Sequence, residues 1–266
     1  MVRNTDKPIV VKIGGSTLGA SDTSLEDIAQ LQKQGRQVVV IHGGGKLITD
    51  WLAKHGVASK FVQGERVTDA ESLKVVVAVL AGLVNKELVA TINAAGGKAI
   101  GISGVDGGLV QAKVKNKELG YVGDVTKVNA APLKALLAAG YIHVIAPVSA
   151  GAPSESKDAA ILNINADGVA GEIAAALGAE RLIFLTDVAG VADSSGKVFA
   201  NLSPGQVEGL ITSGVISGGM IPKIRSCIRA LAGTATTLII DGRQVHALLM
   251  ELEGRCLGTT IEAGRK

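Results

Sequence analysis

Six short runs of β-branched and other apolar residues recur along the chain, and they constrain its fold more than any other feature. The runs lie at residues 8–13, 38–41, 99–103, 142–147, 182–186 and 237–241. Continuous apolar runs of this length are typical of strands buried on both faces, as in parallel sheets. Between the runs lie helical patterns, at 24–34, 46–55, 69–93, 131–139, 166–177, 204–213, 221–232 and 243–252. This alternation predicts an α/β fold in which right-handed βαβ units build a mainly parallel open sheet.

Two segments interrupt the alternation, and both are predicted to be peripheral β-hairpins. Residues 108–128 alternate with period two, which predicts a hairpin outside the main sheet. Residues 188–202 place a Ser-Ser-Gly sequence between short apolar runs, which predicts a second hairpin or a lid. Because no linker rich in proline, serine or charge divides the chain, we expect two lobes that share one sheet. The lobes are residues 1–178 and 179–266, with a soft boundary.

Composition excludes several classes of function. The 27 basic and 24 acidic residues leave a net charge of only +3, too small to bind nucleic acid by charge alone. The chain has six aromatic residues, too few for a base-stacking platform. Its two cysteines and four histidines lack metal-ligand spacing, which argues against a metal site and fits a reduced, cytoplasmic location. The longest apolar stretch, 75–84, is half a bilayer span, so we expect a soluble protein without a membrane partner.

Two helix starts carry the signature of a capping box. Thr68 stands three residues before Glu71, and Ser203 stands three residues before Gln206. In this motif the hydroxyl and the longer side chain each satisfy a backbone N–H group of the first turn. The sequence therefore predicts helices that begin just after residues 68 and 203.

Glycines follow each of the first two predicted strands directly. Gly14 and Gly15 follow the first strand, and three glycines at 43–45 follow the second. Ligands of open α/β sheets bind at the carboxyl ends of the strands, where glycine N–H groups and a helix start favour phosphate. The alternative is that the glycines only form tight turns. The sequence has no Walker A, dinucleotide-binding or nucleophile-elbow motif.

Two lysines and an aspartate are the candidate charged groups of such a site. Lys12 lies within a strand predicted to be buried, where an ammonium group needs an anionic partner unless its stem packs and its amine reaches water. Lys223 follows a glycine-rich segment at a helix start, and the alternative interpretation is that it is a solvated surface lysine. Asp167 follows Asn163 and Asn165, and the alternative interpretation is that these residues only cap a helix. Together with glycine N–H groups, these side chains would form a cradle for phosphoryl transfer.

Seven motifs in a fixed order resemble those of the amino acid kinase family. They are Lys12-Ile-Gly-Gly-Ser, His42-Gly-Gly-Gly, Gly64-Glu-Arg66-Val-Thr, Ala81-Gly-Leu-Val-Asn85-Lys, Asn163-Ile-Asn-Ala-Asp167, Thr186-Asp-Val-Ala-Gly190-Val and Gly218-Gly-Met-Ile-Pro-Lys223. The resemblance extends from about residue 9 to 261. It is strongest to members that phosphorylate the γ-carboxylate of N-acetyl-L-glutamate with ATP and Mg²⁺ in arginine biosynthesis. It implies a three-layer α-β-α sandwich.

The resemblance also implies roles for the catalytic residues. Lys12 and Lys223 would neutralise the transferring phosphoryl group, and Asp167 would hold both ammonium groups. Gly15 and Gly44 would donate backbone N–H groups to the phosphoryl oxygens. An acceptor carboxylate is ionised at neutral pH, so alignment and charge stabilisation would suffice without a general base.

The resemblance divides the two substrates between the lobes. The N-terminal lobe would bind N-acetyl-L-glutamate through Gly44, Gly45, Arg66, Asn163 and Asn165, with Arg66 forked onto the α-carboxylate. The C-terminal lobe would bind ATP, and its candidate residues are Asp187, Val188, Gly190, Val191, Gly218, Gly219, Met220 and Lys223. Mg²⁺ would be held chiefly by the phosphates, without a protein metal site.

Several departures from the family pattern leave alternatives open. Glu65 replaces an expected apolar residue beside Arg66, and Gly168 replaces a more usual glutamine. Because few residues precede the first strand and the stretch 250–260 is short, we expect a homodimer without arginine inhibition, with helix 73–84 at its interface. The alternative functions are an aminoadipate kinase whose substrate is linked to a carrier protein, and a catalytically silent nucleotide-binding regulator.

Overall fold

Each of the six apolar runs predicted to be strands forms a strand of one eleven-stranded sheet. A computed structural model describes residues 7–14, 23–153 and 160–263. Within them the strands are β1 (Ile9–Ile13), β2 (Val38–His42), β3 (Phe61–Val62), β4 (Glu65–Arg66), β5 (Ala99–Gly104), β6 (Val110–Val114), β7 (Val122–Val128), β8 (Ile142–Gly151), β9 (Ile161–Ile164), β10 (Arg181–Thr186), β11 (Asn201–Leu202), β12 (Thr236–Asp241) and β13 (Thr259–Glu262). Strands β3 and β4 form a separate small hairpin, and the others share the large sheet.

The centre of the large sheet is parallel, as the continuous apolar runs predicted. Strands β12, β10, β1, β2, β8 and β5 pair in this order, each parallel to the next. In this register Lys12 stands beside Phe184 of β10 and Ile41 of β2. The segments that follow β1, β2 and β10 therefore all leave the sheet at its carboxyl edge.

Helices cover both faces of the sheet and complete three layers. They are α1 (Ser24–Lys33), α2 (Gly45–Lys54), α3 (Ala70–Val77), α4 (Asn85–Ala94), α5 (Ala131–Ala138), α6 (Ala166–Leu177), α7 (Pro204–Thr212), α8 (Met220–Ala230) and α9 (Ala247–Leu252). Helices α1–α4 and α9 contribute to one buried apolar cluster with the sheet, and α5–α8 contribute to a second cluster on the opposite face. The predicted α-β-α sandwich is confirmed.

One long helix contains a π-helical segment. Helices α3 and α4 join through Ala78–Val84, which has π-helical hydrogen bonding, and together they span Ala70–Ala94. By length and apolar composition alone, this helix could cross a bilayer, but core helices of water-soluble proteins meet the same criterion. Its inner face packs on the sheet through buried residues such as Val76, Val79 and Leu88.

The hairpin at 108–128 forms as predicted, but its predicted position outside the main sheet is wrong. Strands β6 and β7 pair antiparallel, and each also joins the large sheet, β6 beside β8 and β7 beside β9. Period two shows that a segment forms strands but does not show which sheet it joins. In the second segment, 188–202, Ala192 forms an antiparallel bridge with Val198 around a turn.

Of the two predicted capping boxes, one is present and one is not. Ser203 and Gln206 form the predicted reciprocal bonds at the start of α7. At α3 the cap is Asp69, whose carboxylate accepts the N–H group of Ser72 at 2.7 Å. The Thr68 hydroxyl is buried and donates to the Arg66 carbonyl instead. The helix therefore begins one residue later than predicted.

Two fully buried histidines make the folded state sensitive to acid. Burial lowers the pKa of His42 and of His143 from 6.5 to about 4 in each case. Below pH 6.5 these two histidines bind protons in the unfolded chain but remain neutral in the folded protein. The free energy of unfolding therefore falls as the pH falls towards 4.

The substitution His143→Leu is expected to reduce this acid sensitivity. Each histidine should lower the free energy of unfolding by about 2 kcal/mol between pH 7 and pH 5. Urea unfolding at the two pH values measures the loss in the wild type and in the variant. Equal losses in both proteins would show that His143 is protonated as readily in the folded state as in the unfolded chain.

Candidate active site

Lys12 and Lys223 meet at a single carboxylate. The Nζ atom of Lys12 lies 2.9 Å from Oδ1 of Asp167, and the Nζ atom of Lys223 lies 3.1 Å from Oδ2. All three side chains are nearly buried, with 10–13% of their surface exposed. The two lysines are 211 positions apart in the sequence (223 − 12). The structure therefore brings together the charged groups that the sequence singled out.

Local structure explains why each of these side chains points to the same place. Lys12 shares its face of β1 with Val10, which belongs to the cluster beneath α6 and α8. Asp167 lies in the first turn of α6, and the Asn165 side chain caps this helix by accepting the N–H group of Asp167 at 2.9 Å. The ammonium group of Lys223 lies over the Phe184 ring, 5.1 Å from its centre. Asn165 thus has the capping function that was the alternative interpretation of its motif.

The cluster carries an excess positive charge. Burial raises the pKa of the Asp167 carboxyl, but Lys12 and Lys223 outweigh this effect and hold the pKa below its ordinary value. Burial also lowers the pKa of the Lys12 ammonium, and the charge of Lys223 lowers it further against the attraction of Asp167. One carboxylate cannot neutralise two ammonium groups. An arriving anion is therefore the natural partner of the remaining positive charge.

The glycines after β2 lie at the start of a helix beside this cluster. Gly44 is the N-cap residue of α2, and Gly45 is the first residue of the helix. A side chain at position 44 would meet Leu80, whose Cδ2 atom lies 2.7 Å from the position of an added Cβ. Gly14 donates its N–H group to the Leu185 carbonyl at 3.1 Å. Gly15, the other predicted phosphate-binding glycine, lies outside the described residues.

All five predicted acceptor-binding residues line one cavity of about 190 Å³. They are Gly44, Gly45, Arg66, Asn163 and Asn165. Apolar residues complete the wall, among them Ile48, Leu80, Val122, Pro147 and Ile164. Asn165 and Ala166, which directly precede Asp167, line the cavity, so the cavity borders the first turn of α6. A small ligand with polar and apolar parts would fit a site of this character.

Arg66 is held rigidly at the wall of this cavity. One terminal nitrogen, Nη1, donates to the Ser59 hydroxyl at 2.5 Å. The other, Nη2, donates to the Gly45 carbonyl at 2.9 Å and to the Thr49 hydroxyl at 2.8 Å. The exposed ring of Phe61 stacks on the guanidinium at 4.7 Å. Sequence reasoning missed these contacts, although Thr49 lies one helical turn after Gly45, which is the spacing that would bring both to Arg66.

The charge of Glu65 is balanced by a lysine from the β6–β7 hairpin. Its carboxylate lies 2.9 Å from Nζ of Lys115, which also lies 3.4 Å from Asp124. Attraction to these carboxylates outweighs burial and raises the pKa of Lys115. Glu65 nevertheless lines the acceptor cavity together with Arg66. The negative charge noted in the sequence therefore has its own cation beside it.

The predicted nucleotide-binding residues lie in two segments at the carboxyl edge. Asp187 and Val188 are exposed at the end of β10, and the Gly190 backbone (φ 146°) packs so closely on Thr259 that a Cβ would lie 2.6 Å from its hydroxyl. Gly218 and Gly219 line a larger cavity of about 820 Å³ that borders the first turns of α6 and α8. That cavity does not include the segment 187–191. Of the remaining candidates, Val191 ends the first segment, and Met220 and Lys223 lie in the first turn of α8, directly after Gly219.

The chain matches the model of the amino acid kinase family over residues 7–241. It therefore belongs to the amino acid kinase family. An acetylglutamate kinase of Dehalococcoides mccartyi is 49% identical over 265 residues, covering 98% of this chain and 96% of the relative. An acetylglutamate kinase of Geotalea daltonii is 44% identical, covering 98% of this chain and 94% of the relative.

Solved structures agree with the fold. A crystal structure of smu.665 from Streptococcus mutans UA159 is 33% identical and superposes with a TM-score of 0.81 over 96% of this chain and 98% of that one. A carbamate kinase from Giardia lamblia bound to AMP-PNP is 18% identical and covers 98% of this chain and 99% of that one, with a TM-score of 0.69. At that identity the likeness concerns the fold alone.

Proposed function

We propose that this chain transfers the γ-phosphoryl group of ATP to the γ-carboxylate of N-acetyl-L-glutamate, forming N-acetyl-L-glutamyl 5-phosphate in arginine biosynthesis. The observation that carries the proposal is the pair of nearly buried ammonium groups on Asp167, beside a small cavity that holds an arginine and helix-start glycines. Relatives named acetylglutamate kinase, 44–50% identical over nearly the whole chain, support this choice of substrate.

The chemistry requires charge stabilisation rather than proton removal. A γ-carboxylate has a pKa of about 4.3, so it is already a nucleophile at neutral pH. One of its oxygens attacks the γ-phosphorus in line, a new P–O bond forms, and the bond to ADP breaks. In this proposal Lys12 and Lys223 balance the negative charge on the phosphoryl oxygens, and the Gly44 N–H group donates to one of them. Asp167 keeps the two ammonium groups apart and aimed at the same point.

Nucleotide and metal would enter together. Among the described residues, no group of three or more histidine, cysteine, aspartate or glutamate side chains lies close enough to hold a metal ion. In this proposal the nucleotide phosphates would carry the Mg²⁺ ion, which would screen their charge. Segments 187–191 and 218–223 would hold the nucleotide, with the acceptor in the N-terminal lobe, 1–178, and ATP in the C-terminal lobe, 179–266.

Trapping with hydroxylamine tests the proposed reaction directly. An acyl phosphate reacts with hydroxylamine to give a coloured hydroxamate. We expect hydroxamate when the protein is given ATP, Mg²⁺ and N-acetyl-L-glutamate, and much less with L-glutamate or L-2-aminoadipate. Nucleotide binding without a trapped product from any acidic amino acid would instead support the catalytically silent regulator.

The substitution Arg66→Lys is expected to raise the KM for the acceptor. A lysine has a single ammonium group and cannot replace the donors to Ser59, Thr49 and Gly45 while it also reaches a substrate carboxylate. Losing one charge-assisted contact should raise KM by about tenfold or more, with a smaller change in kcat. Arg181→Lys, at the opposite edge of the sheet, is the matched control. An unchanged acceptor KM in Arg66→Lys would remove Arg66 from the acceptor site.

We infer that two copies of the chain associate through the outer face of helix Ala70–Ala94. Only 39% of its most apolar 18-residue window is buried, and Ala78, Gly82 and Ala90 are exposed on that face.

The substitution Ala78→Glu should therefore convert a dimer to a monomer in sedimentation equilibrium, because it would bury an unpaired charge in this interface. Thr212→Glu, on the opposite layer, should leave the mass unchanged. A wild-type monomer, or a dimer that survives Ala78→Glu, would contradict this interface.

A further inference from the structure

His42 is the last residue of β2 and directly precedes the glycines of the candidate site. Its side chain is fully buried. The ring atom Nδ1 lies 2.9 Å from the carbonyl oxygen of Gly43. A carbonyl oxygen only accepts hydrogen bonds, so Nδ1 carries the proton and donates it.

The other ring nitrogen faces the side chain of Asn85. The Nδ2 atom of Asn85 lies 3.3 Å from Nε2 of His42 and donates to the Val144 carbonyl at 2.8 Å. The Oδ1 atom of Asn85 accepts from the Lys86 ammonium at 2.9 Å, which fixes the orientation of the amide. Nε2 therefore faces a donor and has to accept. Both contacts require a neutral ring with its proton on Nδ1.

This tautomer acts on the peptide group that carries the Gly44 N–H. The Gly43 carbonyl and the Gly44 N–H belong to one planar trans peptide, so they point in opposite directions. Donation to the carbonyl fixes the plane and also polarises the N–H at its other end. No hydrogen-bond partner for the Gly44 N–H occurs among the described residues, and Gly44 lines the acceptor cavity.

The packing around Asn85 leaves the amide little freedom to turn. A Cβ at Gly101 would lie 2.0 Å from Oδ1 of Asn85, so only glycine allows the amide to occupy this place. Asn85 is the first residue after the π-helical segment, whose Leu80 and Val84 side chains pack on Gly44. A π-helical turn shifts the residues that follow it around the helix axis relative to an α-helix. In this way the segment brings Asn85 to His42 and Leu80 to Gly44.

We infer that His42 is a positioning residue for phosphoryl transfer: its Nδ1–H group, kept in that tautomer by Asn85, orients and polarises the Gly43–Gly44 peptide so that the Gly44 N–H meets a phosphoryl oxygen. The inference rests on the proposed function, because it concerns the same transferred group. His42 is fully buried and in this proposal acts through the Gly43–Gly44 peptide, without touching either substrate.

Three variants distinguish a positioning role of His42 from a role in core packing alone. His42→Leu removes the donor, and His42→Asn restores one, because its amide nitrogen lies close to the place of Nδ1. His143→Leu is the matched control, since His143 is also fully buried, on the adjacent strand β8, and its ring nitrogens have no partner in the described structure. Deleting an oxyanion donor costs about 10²–10³ in kcat, so misorienting one should cost about 10-fold or more.

We expect His42→Leu to lower kcat with little change in the acceptor KM, His42→Asn to recover most of the loss, and His143→Leu to keep the wild-type kcat. Equal kcat in His42→Leu and His143→Leu, or a His42→Asn variant as slow as His42→Leu, would overturn the inference. Unfolding measurements on the same proteins account for any loss of folded enzyme.

Nitrogen NMR of the wild-type protein tests the inference without any turnover. The ring of His42 should be neutral at pH 7 with the proton on Nδ1, and the Gly44 amide proton should shift in His42→Leu but not in His143→Leu. A proton on Nε2, or an unchanged Gly44 shift in His42→Leu, would overturn it. If the wild type forms no hydroxamate, the proposed function fails, whereas these NMR results still decide the role of His42.

Discussion

Replacing Lys12 by methionine lowers kcat by about 10²–10³ while the protein stays folded. The methionine side chain has nearly the length of the lysine stem, so it keeps the packing on this face of β1. It removes one of the two ammonium groups that face Asp167, and the cluster then has no excess positive charge. The charge that builds up on the phosphoryl oxygens in the transition state loses a preorganised partner. Hydroxamate formation at saturating ATP and acceptor measures kcat.

Two controls distinguish this effect from general damage. Lys98→Met alters an exposed lysine that lines a cavity far from the carboxyl edge, and it should leave kcat unchanged. Lys223→Met removes the other ammonium group and should cause a loss of similar size. A Lys12→Met enzyme that keeps kcat within about threefold of wild type would show that Lys12 does not stabilise the transition state.

Replacing Asp167 by asparagine destabilises the protein by about 3–5 kcal/mol and also lowers kcat. The amide has the shape of the carboxylate but no charge. The nearly buried ammonium groups of Lys12 and Lys223 then face each other without an anion between them. Because their repulsion is present only in the folded state, the free energy of unfolding falls. Urea unfolding at pH 7 measures the loss.

Added ligand provides a second readout for the same variant. ATP with Mg²⁺ supplies negative charge to the two lysines, so it should stabilise Asp167→Asn more than it stabilises the wild type. Asp50→Asn changes an exposed aspartate of α2 and should shift the unfolding free energy by no more than about 0.5 kcal/mol. If Asp167→Asn unfolds at the same urea concentration as the wild type, the three side chains do not form the charged cluster described above.

Much of the fold could be predicted because burial leaves a clear pattern in the sequence. Residues 182–185 of the run 182–186 are all apolar, and β10 is indeed covered on both faces. The sequence marks Lys12 as a site residue for the complementary reason, since a charge inside such a run needs a partner. The partner, Asp167, is 155 positions away (167 − 12), and only the pairing of β1 with β10 and the packing of α6 bring the two together.

Other features depend on contacts that no local pattern encodes. Thr68 has the sequence of a helix cap, but the hydroxyl is buried against the Arg66 carbonyl and Asp69 takes the capping position. Thr49 and Ser59 look like ordinary polar residues until the fold places both on Arg66. Asn85 meets His42 across 43 positions of sequence. Long-range packing creates these contacts, and reading the sequence locally could not find them.

A crystal structure with MgADP, tetrafluoroaluminate and N-acetyl-L-glutamate tests the central claim most directly. The fluoroaluminate is an analogue of the phosphoryl group in the transition state, when it lies between the two substrates. We expect its fluorides to lie about 2.7–3.1 Å from Nζ of Lys12, Nζ of Lys223 and the Gly44 N–H. A planar anion bound in line between ADP and the acceptor, with either ammonium group too distant to contact it, would contradict transfer stabilised by these two lysines.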